Sequence, residues 1–236
     1  MSYDSIAARY DEFVDGSFIH QVAVPSVLDL CVPGGRVLDV ACGQGVLTRA
    51  LAARYTTVVG VDFSAALVQI AEAQEPHLSS DLSYVVDDAR MLDTIDSNSF
   101  DGATICLATT DFDDLDQVLG AVARVLVPGG WLVIAALHPC FEPPWSTTDE
   151  RDGHLVKVLG NYFQEGRWWP DNPDSLLRDI GRYHRTLSTL LNTVLDSGFA
   201  LERFEEPRPD HAVAFAAPIY AEVAEVLALR ARQLKE

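Results

Sequence analysis

The chain has 236 residues, 48% of them hydrophobic, which suffices for one sizeable core, and no proline- or serine-rich linker divides it. Its 17 basic and 35 acidic residues give a net charge of -18, which disfavours a nucleic acid partner because a phosphate-binding surface would form against the overall field. The four cysteines show no metal-ligand spacing, so no metal site is predicted. Neither a signal peptide nor a membrane-length apolar stretch is found, and we predict a cytoplasmic protein without a membrane partner.

Hydrophobic periodicity predicts strands that alternate with helices. The predicted strands cover residues 36–41, 57–62, 82–87, 101–108, 131–137, 199–206 and 226–232. The predicted helices cover 45–54, 64–74 and 113–126, the last ended by the sequence VPGG, while 88–100 is too short and broken for a helix. Parallel neighbours need crossover connections, so the order predicts a mostly parallel α/β sheet with helices on both faces and a ligand site at the carboxyl ends of the strands.

Two strand ends indicate a nucleoside cofactor. The first strand is followed by Ala41-Cys42-Gly43-Gln44-Gly45, where glycine permits a sharp turn and a close approach to a ligand at the start of a helix. The second strand ends at Asp62, an acid placed to accept hydrogen bonds from a ribose diol. Thr48 occupies the position of the third small residue of a dinucleotide fingerprint, so a nicotinamide cofactor fits less well.

Five segments in order resemble the motifs of class I S-adenosylmethionine-dependent methyltransferases: VLDVACGQG, VVGVDFS, VVDDARML, FDGATICLA and LVPGGWLVIA. The resemblance covers about residues 1–140, and the final strands extend it to the end of the chain. It implies a Rossmann-like fold with a seven-stranded sheet whose last strand is antiparallel, an aromatic-rich insertion after the fifth strand, and S-adenosylmethionine as the cofactor.

The resemblance also implies cofactor contacts at matching positions. Asp39 and the loop that contains Ala41, Gly43 and Gly45 would hold the methionine part, and Asp62 would bind both ribose hydroxyls. The other implied contacts surround the adenine and the far side of the cofactor: Phe63 on the adenine face, Asp88 and Ala89 on its edge, and Leu107 opposite. One departure is Ala41, since the family often has glycine there.

The N-terminal residues 1–32 resemble the family's leading helices, which often fold over the cofactor. Tyr10 is the first candidate for a contact from this cover, and Tyr3 is the second. An equally weighted alternative is an ordinary amphipathic helix that packs Ile6, Tyr10 and Phe13 on the core. The predicted single domain continues with a cofactor-binding core over 33–138, an insertion over 139–185 and a C-terminal helix and strands over 186–236.

The insertion is rich in aromatic residues and indicates a substrate lid. A long connection in a compact domain is usually a binding segment, and large aromatic side chains can close over a flat acceptor. The candidate acceptor-binding residues are Phe141, Trp145, Trp168, Trp169 and Tyr183. The alternative is that these side chains only attach the insertion to the sheet.

Three residues are candidates for catalytic roles. His138 ends the fifth strand and His184 precedes the helix that leads to the sixth, and each could take a proton from an acceptor or simply hydrogen-bond the lid or the substrate. Asp111 follows the fourth strand and could orient an amine or hydroxyl, although a helix start explains it slightly better.

These observations predict a methyltransferase that acts on an oxygen, nitrogen or carbon atom of a small aromatic or hydrophobic molecule, in secondary metabolism. The alternatives are an NAD(P)-dependent oxidoreductase on a similar sheet and a non-catalytic cofactor-binding protein. Exposed aromatic side chains in the insertion could equally form a homodimer contact, so the oligomeric state stays open.

Overall fold

A mixed sheet forms the centre of the protein. The computed structural model describes residues 3–74, 81–142, 144–170, 175, 176, 178 and 180–234. The strands of the sheet are β1 (Arg36–Val40), β2 (Thr57–Asp62), β3 (Asp81–Val86), β4 (Phe100–Cys106), β5 (Leu126–Leu137), β10 (Phe199–Glu205) and β11 (Val226–Gln233). The insertion contributes β6 (Thr147–Arg151), β7 (His154–Val158), β8 (Gly166–Trp168) and β9 (Arg182–His184).

The central sheet has the order β10-β11-β5-β4-β1-β2-β3. The strands β5, β4, β1, β2 and β3 run parallel to one another, whereas β11 pairs antiparallel with both β5 and β10. This topology confirms the predicted fold class, including the antiparallel last strand. It brings the carboxyl ends of β1, β2 and β4 to one edge, where strand order reverses between β1 and β4.

Helices cover both faces of the sheet. After a short 3-10 helix (Tyr3–Ile6), they are α1 (Ala7–Asp15), α2 (Phe18–Leu30), α3 (Val46–Ala52), α4 (Ala65–Ala73), α5 (Leu115–Val125), α6 (Leu187–Asp196), α7 (His211–Ala216) and α8 (Ile219–Glu222). One core lies under α5 and α6, and the other lies under α2, α3 and α4. In α5, Leu115, Val118, Leu119 and Val122 form the apolar stripe expected of a helix that buries one face.

The fifth strand differs from its prediction at the start. It was expected from residue 131 but begins at Leu126, which pairs with Phe100 directly after α5. The ladder then shifts, and pairing resumes between Trp131 and Gly102. The VPGG sequence therefore forms an irregularity inside a continuous strand rather than a separate turn before it.

The insertion is more regular than a loop. Strands β6 and β7 form one antiparallel hairpin, and β8 and β9 form another. The Nζ atom of Lys157 in β7 donates to Glu142 and, at 2.9 Å, to Oε1 of Glu225, which precedes β11. This buried ion-pair network attaches the first hairpin to the central sheet. The division of the chain into the segments given above stays a prediction.

Within the described ranges, no helix has the length and apolarity needed to cross a membrane. The same ranges contain no group of three or more histidine, cysteine, aspartate or glutamate side chains that could hold a metal ion.

Two glycines make a matched test of packing. A Cβ atom at Gly102 in β4 would lie 2.0 Å from the Trp131 ring, whereas one at exposed Gly120 in α5 would meet nothing within 4 Å. We expect Gly102→Ala to lower the free energy of unfolding by about 1–3 kcal/mol through overpacking. Gly120→Ala should raise it by about 0.5–1 kcal/mol because alanine favours a helix. Urea denaturation measures both, and equal effects would contradict this packing.

Candidate active site

A cavity of about 260 Å³ opens beside the carboxyl ends of β1, β2 and β4 and is called the glycine-loop cavity here. Most of the predicted cofactor contacts line it: Tyr10, Ala41, Gly43, Asp62, Phe63, Asp88, Ala89 and Leu107. Asp39 and Gly45 are the two predicted contacts that are not on its wall. The sheet thus gathers strand ends that are far apart in sequence, as the parallel topology requires.

The glycine loop turns through left-handed backbone conformations. Ala41 has a φ of 57°, a conformation that costs a residue with a side chain about 1–2 kcal/mol. Gly43 has a φ of 55° on the cavity wall. Gly45 has a φ of 81° and is the N-cap residue directly before α3, and a Cβ there would lie 2.5 Å from the Tyr84 hydroxyl. Gly45 therefore shapes the turn rather than the cavity.

Asp62 is held in place by main-chain donors. Its Oδ2 accepts a hydrogen bond from the Gly43 N–H at 2.8 Å, and its Oδ1 accepts one from the Ser64 N–H at 2.9 Å. Burial raises the pKa of the Asp62 carboxyl, and these two donors counteract the rise. The carboxylate is thus fixed between the ends of β1 and β2, with lone pairs left for a ligand.

Asp39 lies beneath the loop rather than on the larger cavity. Its side chain is 1% exposed and accepts hydrogen bonds from the hydroxyls of Thr48 and Thr104. Burial raises its pKa to about 6. Asp39 lines a small adjoining cavity together with Tyr10 and Gln44. The Nε2 atom of Gln44 is buried there and has no hydrogen-bond partner in the described part of the chain.

The N-terminal cover, residues 3–15, closes one side of the glycine-loop cavity. Tyr3 and Tyr10 both line the cavity, with their ring centroids 5.2 Å apart in an edge-to-face arrangement. Asp4 attaches the cover to the start of α4, because its Oδ1 accepts hydrogen bonds from the Ser64 hydroxyl at 2.6 Å and the Ala66 N–H at 3.1 Å. Tyr3 and Tyr10 therefore line the cavity, and their contact with a cofactor stays a prediction.

The opposite side of the cavity presents a flat apolar surface and a carboxylate. The Phe63 ring is 67% exposed, and Leu107 takes a left-handed φ of 59° at the end of β4. Asp88 forms an ion pair with Arg90 at 2.6 Å, and this hydrogen bond is the main cause that lowers the pKa of Asp88. The Asp88 carboxylate is thus already engaged, which leaves its main chain and Ala89 to contact a ligand.

A second cavity, of about 480 Å³, lies under the insertion and is called the tryptophan cavity here. Trp145, Trp168, Trp169 and Tyr183 line it, with the Trp145 and Trp168 ring centroids 6.4 Å apart. Its size is that of small-molecule sites. Phe141 is not on its wall, because its ring packs against His138 at 4.8 Å between centroids.

One loop, residues 107–113, contributes to the walls of both cavities and is called the junction loop here. Thr109 and Thr110 line the tryptophan cavity, whereas Asp111 lines the glycine-loop cavity. Burial raises the pKa of Asp111 to about 6, and the positive charge of Arg182 and a hydrogen bond from Tyr3 counteract the rise. A carboxylate with this pKa can both accept and release a proton near neutral pH.

His138 lies outside both cavities, although its position at the end of β5 predicts a place in the active site. The ring is 2% exposed and is not on the wall of either cavity. Its Nδ1 accepts a hydrogen bond from the Cys140 N–H at 3.1 Å, so Nε2 carries the proton and donates to Glu206 at 2.9 Å. Burial lowers its pKa. With both nitrogens engaged, the geometry speaks against His138 as the base.

His184 lies on the tryptophan cavity but is also held by the fold. Its side chain is 5% exposed, and Nε2 lies 2.7 Å from the Tyr162 carbonyl oxygen, to which it donates. The Tyr162 hydroxyl in turn accepts a hydrogen bond from the Leu187 N–H. His184 therefore connects the second hairpin to the start of α6, and its catalytic role stays a prediction.

Comparison with known proteins identifies the family. Residues 38–134 match the model of a methyltransferase domain. A demethylmenaquinone methyltransferase of Renibacterium salmoninarum is 34% identical over 76% of this chain and 81% of its own length. The chain belongs to the class I S-adenosylmethionine-dependent methyltransferases. A ubiquinone/menaquinone biosynthesis C-methyltransferase of Teredinibacter turnerae is 29% identical over 86% of this methyltransferase.

A solved structure agrees with this membership. The S-adenosylmethionine-dependent methyltransferase of Mesorhizobium loti superposes with a TM-score of 0.76 and 29% identity, and the match covers 93% of this chain and 100% of the other. The methyltransferase therefore uses S-adenosylmethionine. The oxidoreductase alternative finds no support among these relatives.

The residues present fit this cofactor. Asp62 and Phe63 offer a carboxylate for the ribose and a ring for the adenine, and the orphaned Nε2 of Gln44 suits a carboxylate oxygen in the adjoining cavity. The sequence analysis named Gln44 only as a loop residue. It did not name Arg182, which lines the tryptophan cavity. The glycine loop pointed toward Gln44, but no local pattern marks an arginine in β9.

Proposed function

We propose that this enzyme transfers a methyl group to an aromatic small molecule bound in the tryptophan cavity. The observation that carries the proposal is the position of this cavity, which shares the junction loop with the glycine-loop cavity. Relatives named for demethylmenaquinone and for ubiquinone/menaquinone biosynthesis support a ring-shaped acceptor. Trp145 and Trp168 would enclose the ring and exclude water.

The residues on the glycine-loop cavity and on the small adjoining cavity are assigned to the parts of the cofactor. Asp62 binds the ribose hydroxyls, Phe63 packs on the adenine, and Gln44 donates to the carboxylate of the methionine part. Asp39 supports the glycine loop from below through its two threonine partners. When bound, S-adenosylmethionine supplies a methyl group that its sulfonium has already activated.

The protein then has to align the acceptor and receive its proton. We assign the proton to an Oδ atom of Asp111, because this carboxylate lies on the junction loop and its pKa of about 6 leaves it mostly ionised at neutral pH. His138 takes a structural role, in which it connects the end of β5 with Glu206 after β10. His184 orients the second hairpin.

Three further properties are proposals of the same kind. The net charge of -18 supports a small-molecule acceptor over nucleic acid. The four free thiols support a cytoplasmic location. Phe163 of the insertion is 87% exposed and offers an apolar contact for a homodimer.

Methyl transfer from labelled S-adenosylmethionine to a panel of phenols, naphthols and quinols tests the proposal. We expect a methylated product, and we expect Trp168→Ala to raise the KM for that acceptor by about tenfold or more through the loss of ring contacts. The affinity for S-adenosylhomocysteine should not change. Phe215→Ala, a 90% exposed aromatic on α7, is the matched control. Product formation with an unchanged KM in Trp168→Ala would place the acceptor elsewhere.

A further inference from the structure

The tryptophan cavity contains an arginine with a buried hydrogen-bond donor that no described residue uses. Arg182 lies in β9 on the cavity wall, and its Nε is buried without a hydrogen-bond partner among the described residues. Arg185 lines the same cavity but donates to the main-chain carbonyls of Thr109, Phe112 and Asp113. Arg185 therefore supports the junction loop, whereas Arg182 has donor capacity that the described chain does not use.

Of the described residues, Asp111 interacts electrostatically with Arg182 and Glu142 lines the same cavity, and each has another partner. Asp111 senses its charge across the junction loop, but its carboxylate accepts the hydrogen bond of Tyr3 on the side of the glycine-loop cavity. Glu142, the acid on the wall of the tryptophan cavity, pairs with Lys157. The aromatic walls around Arg182 lower the local polarity, so an anion that reaches its guanidinium gains a charge-assisted hydrogen bond.

We propose that the methyl acceptor is an aromatic molecule that carries an anionic oxygen, a carboxylate or a phenolate, and that Arg182 binds this oxygen while the tryptophans enclose the ring. This inference rests on the proposed function, because it assumes that the acceptor occupies the tryptophan cavity. The planar guanidinium presents several donors in one plane, which suits a carboxylate in two-point contact and a phenolate in one. An acceptor held this way lies beside the junction loop, and its reacting atom has to extend past this loop into the glycine-loop cavity, where the methyl donor would bind and Asp111 would receive the proton.

Paired probes that differ only in charge test the inference. The affinities of naphthoate and its methyl ester are compared to test for a carboxylate site. The affinities of nitrophenolate and nitroanisole are compared to test for a phenolate site. Calorimetry with the protein saturated by S-adenosylhomocysteine gives each affinity. We expect at least one anion to bind wild-type protein about tenfold or more tightly than its neutral partner, which corresponds to one charge-assisted hydrogen bond.

Variants then assign the preference to one side chain. Arg182→Gln should abolish the preference for the anion and leave the affinity of the neutral partner unchanged. Arg203→Gln, an exposed arginine on β10, should keep the preference. Equal binding of anion and neutral partner by wild-type protein in both pairs, absence of binding by all four probes, or a preference that survives Arg182→Gln would overturn the inference.

The same titrations separate this inference from the proposed function. If S-adenosylhomocysteine binds and aromatic acceptors are methylated while no anion is preferred, the proposed function stands and the role of Arg182 falls. If no aromatic compound is methylated, the proposed function falls, and with it the assignment of the bound anion as an acceptor.

Discussion

Replacement of Asp62 by alanine is expected to raise the Kd for S-adenosylhomocysteine by about 10²-fold. In the proposed binding mode the variant loses two hydrogen bonds from ribose hydroxyls to the carboxylate, and each contributes at most about 1.5–3 kcal/mol. Isothermal titration calorimetry measures the change. The variant should still unfold cooperatively, because the carboxylate lies on a ligand cavity rather than in either core.

Two further variants make the Asp62 result specific. Asp62→Asn keeps an oxygen that can accept from the Gly43 N–H, so it separates loop geometry from ribose binding. Asp196→Ala removes an exposed carboxylate at the end of α6 and should leave the Kd unchanged. An unaltered Kd in Asp62→Ala would show that the nucleoside lies elsewhere.

The second large effect is expected at Asp111. If its carboxylate receives the acceptor's proton, Asp111→Asn should lower the single-turnover rate by about 10²–10⁴-fold. In the wild-type protein the carboxylate must be ionised, and burial raises its pKa to about 6. The rate constant kcat/KM should therefore fall as pH decreases through about 6, and this acidic limb should disappear in Asp111→Asn.

His138 provides the contrast for the Asp111 experiment. His138→Gln removes a buried ring that holds the Cys140 N–H and Glu206, so we expect a lower melting temperature and little change in the single-turnover rate. The opposite pattern, with the rate lost in His138→Gln and kept in Asp111→Asn, would show that His138 rather than Asp111 is the base.

Sequence reasoning reached the parts of the site that local rules determine. Glycines and acids at strand ends follow from the geometry of a parallel sheet, so the positions of Gly43 and Asp62 could be predicted from the alternation of strands and helices. The strand start at Leu126 could not, because it depends on the pairing with Phe100, which no local pattern encodes.

The structure places His138 outside both cavities, and its catalytic role stays a prediction, whereas the sequence did not single out Arg182 at all. A histidine at a strand end is close to the active edge of the sheet, but the direction of its ring depends on Cys140 and on Glu206, a residue far along the chain. Arg182 reaches the cavity wall only because β9 folds against the junction loop, where the Tyr183 N–H donates to the Thr110 carbonyl oxygen. Such contacts between distant segments are the part of a site that composition and spacing leave undetermined.

The anchor of the N-terminal cover has a kinetic consequence. Asp4 binds Ser64, whose hydroxyl also caps α4 two residues beyond Asp62, so the N-terminal cover is attached beside the glycine-loop cavity. If the cofactor binds in the glycine-loop cavity as proposed, we expect its exchange with solution to require this anchor to open. Product release and entry of the next donor would then be limited by the rate at which the two hydrogen bonds of Asp4 break and Tyr3 and Tyr10 move away from the cavity.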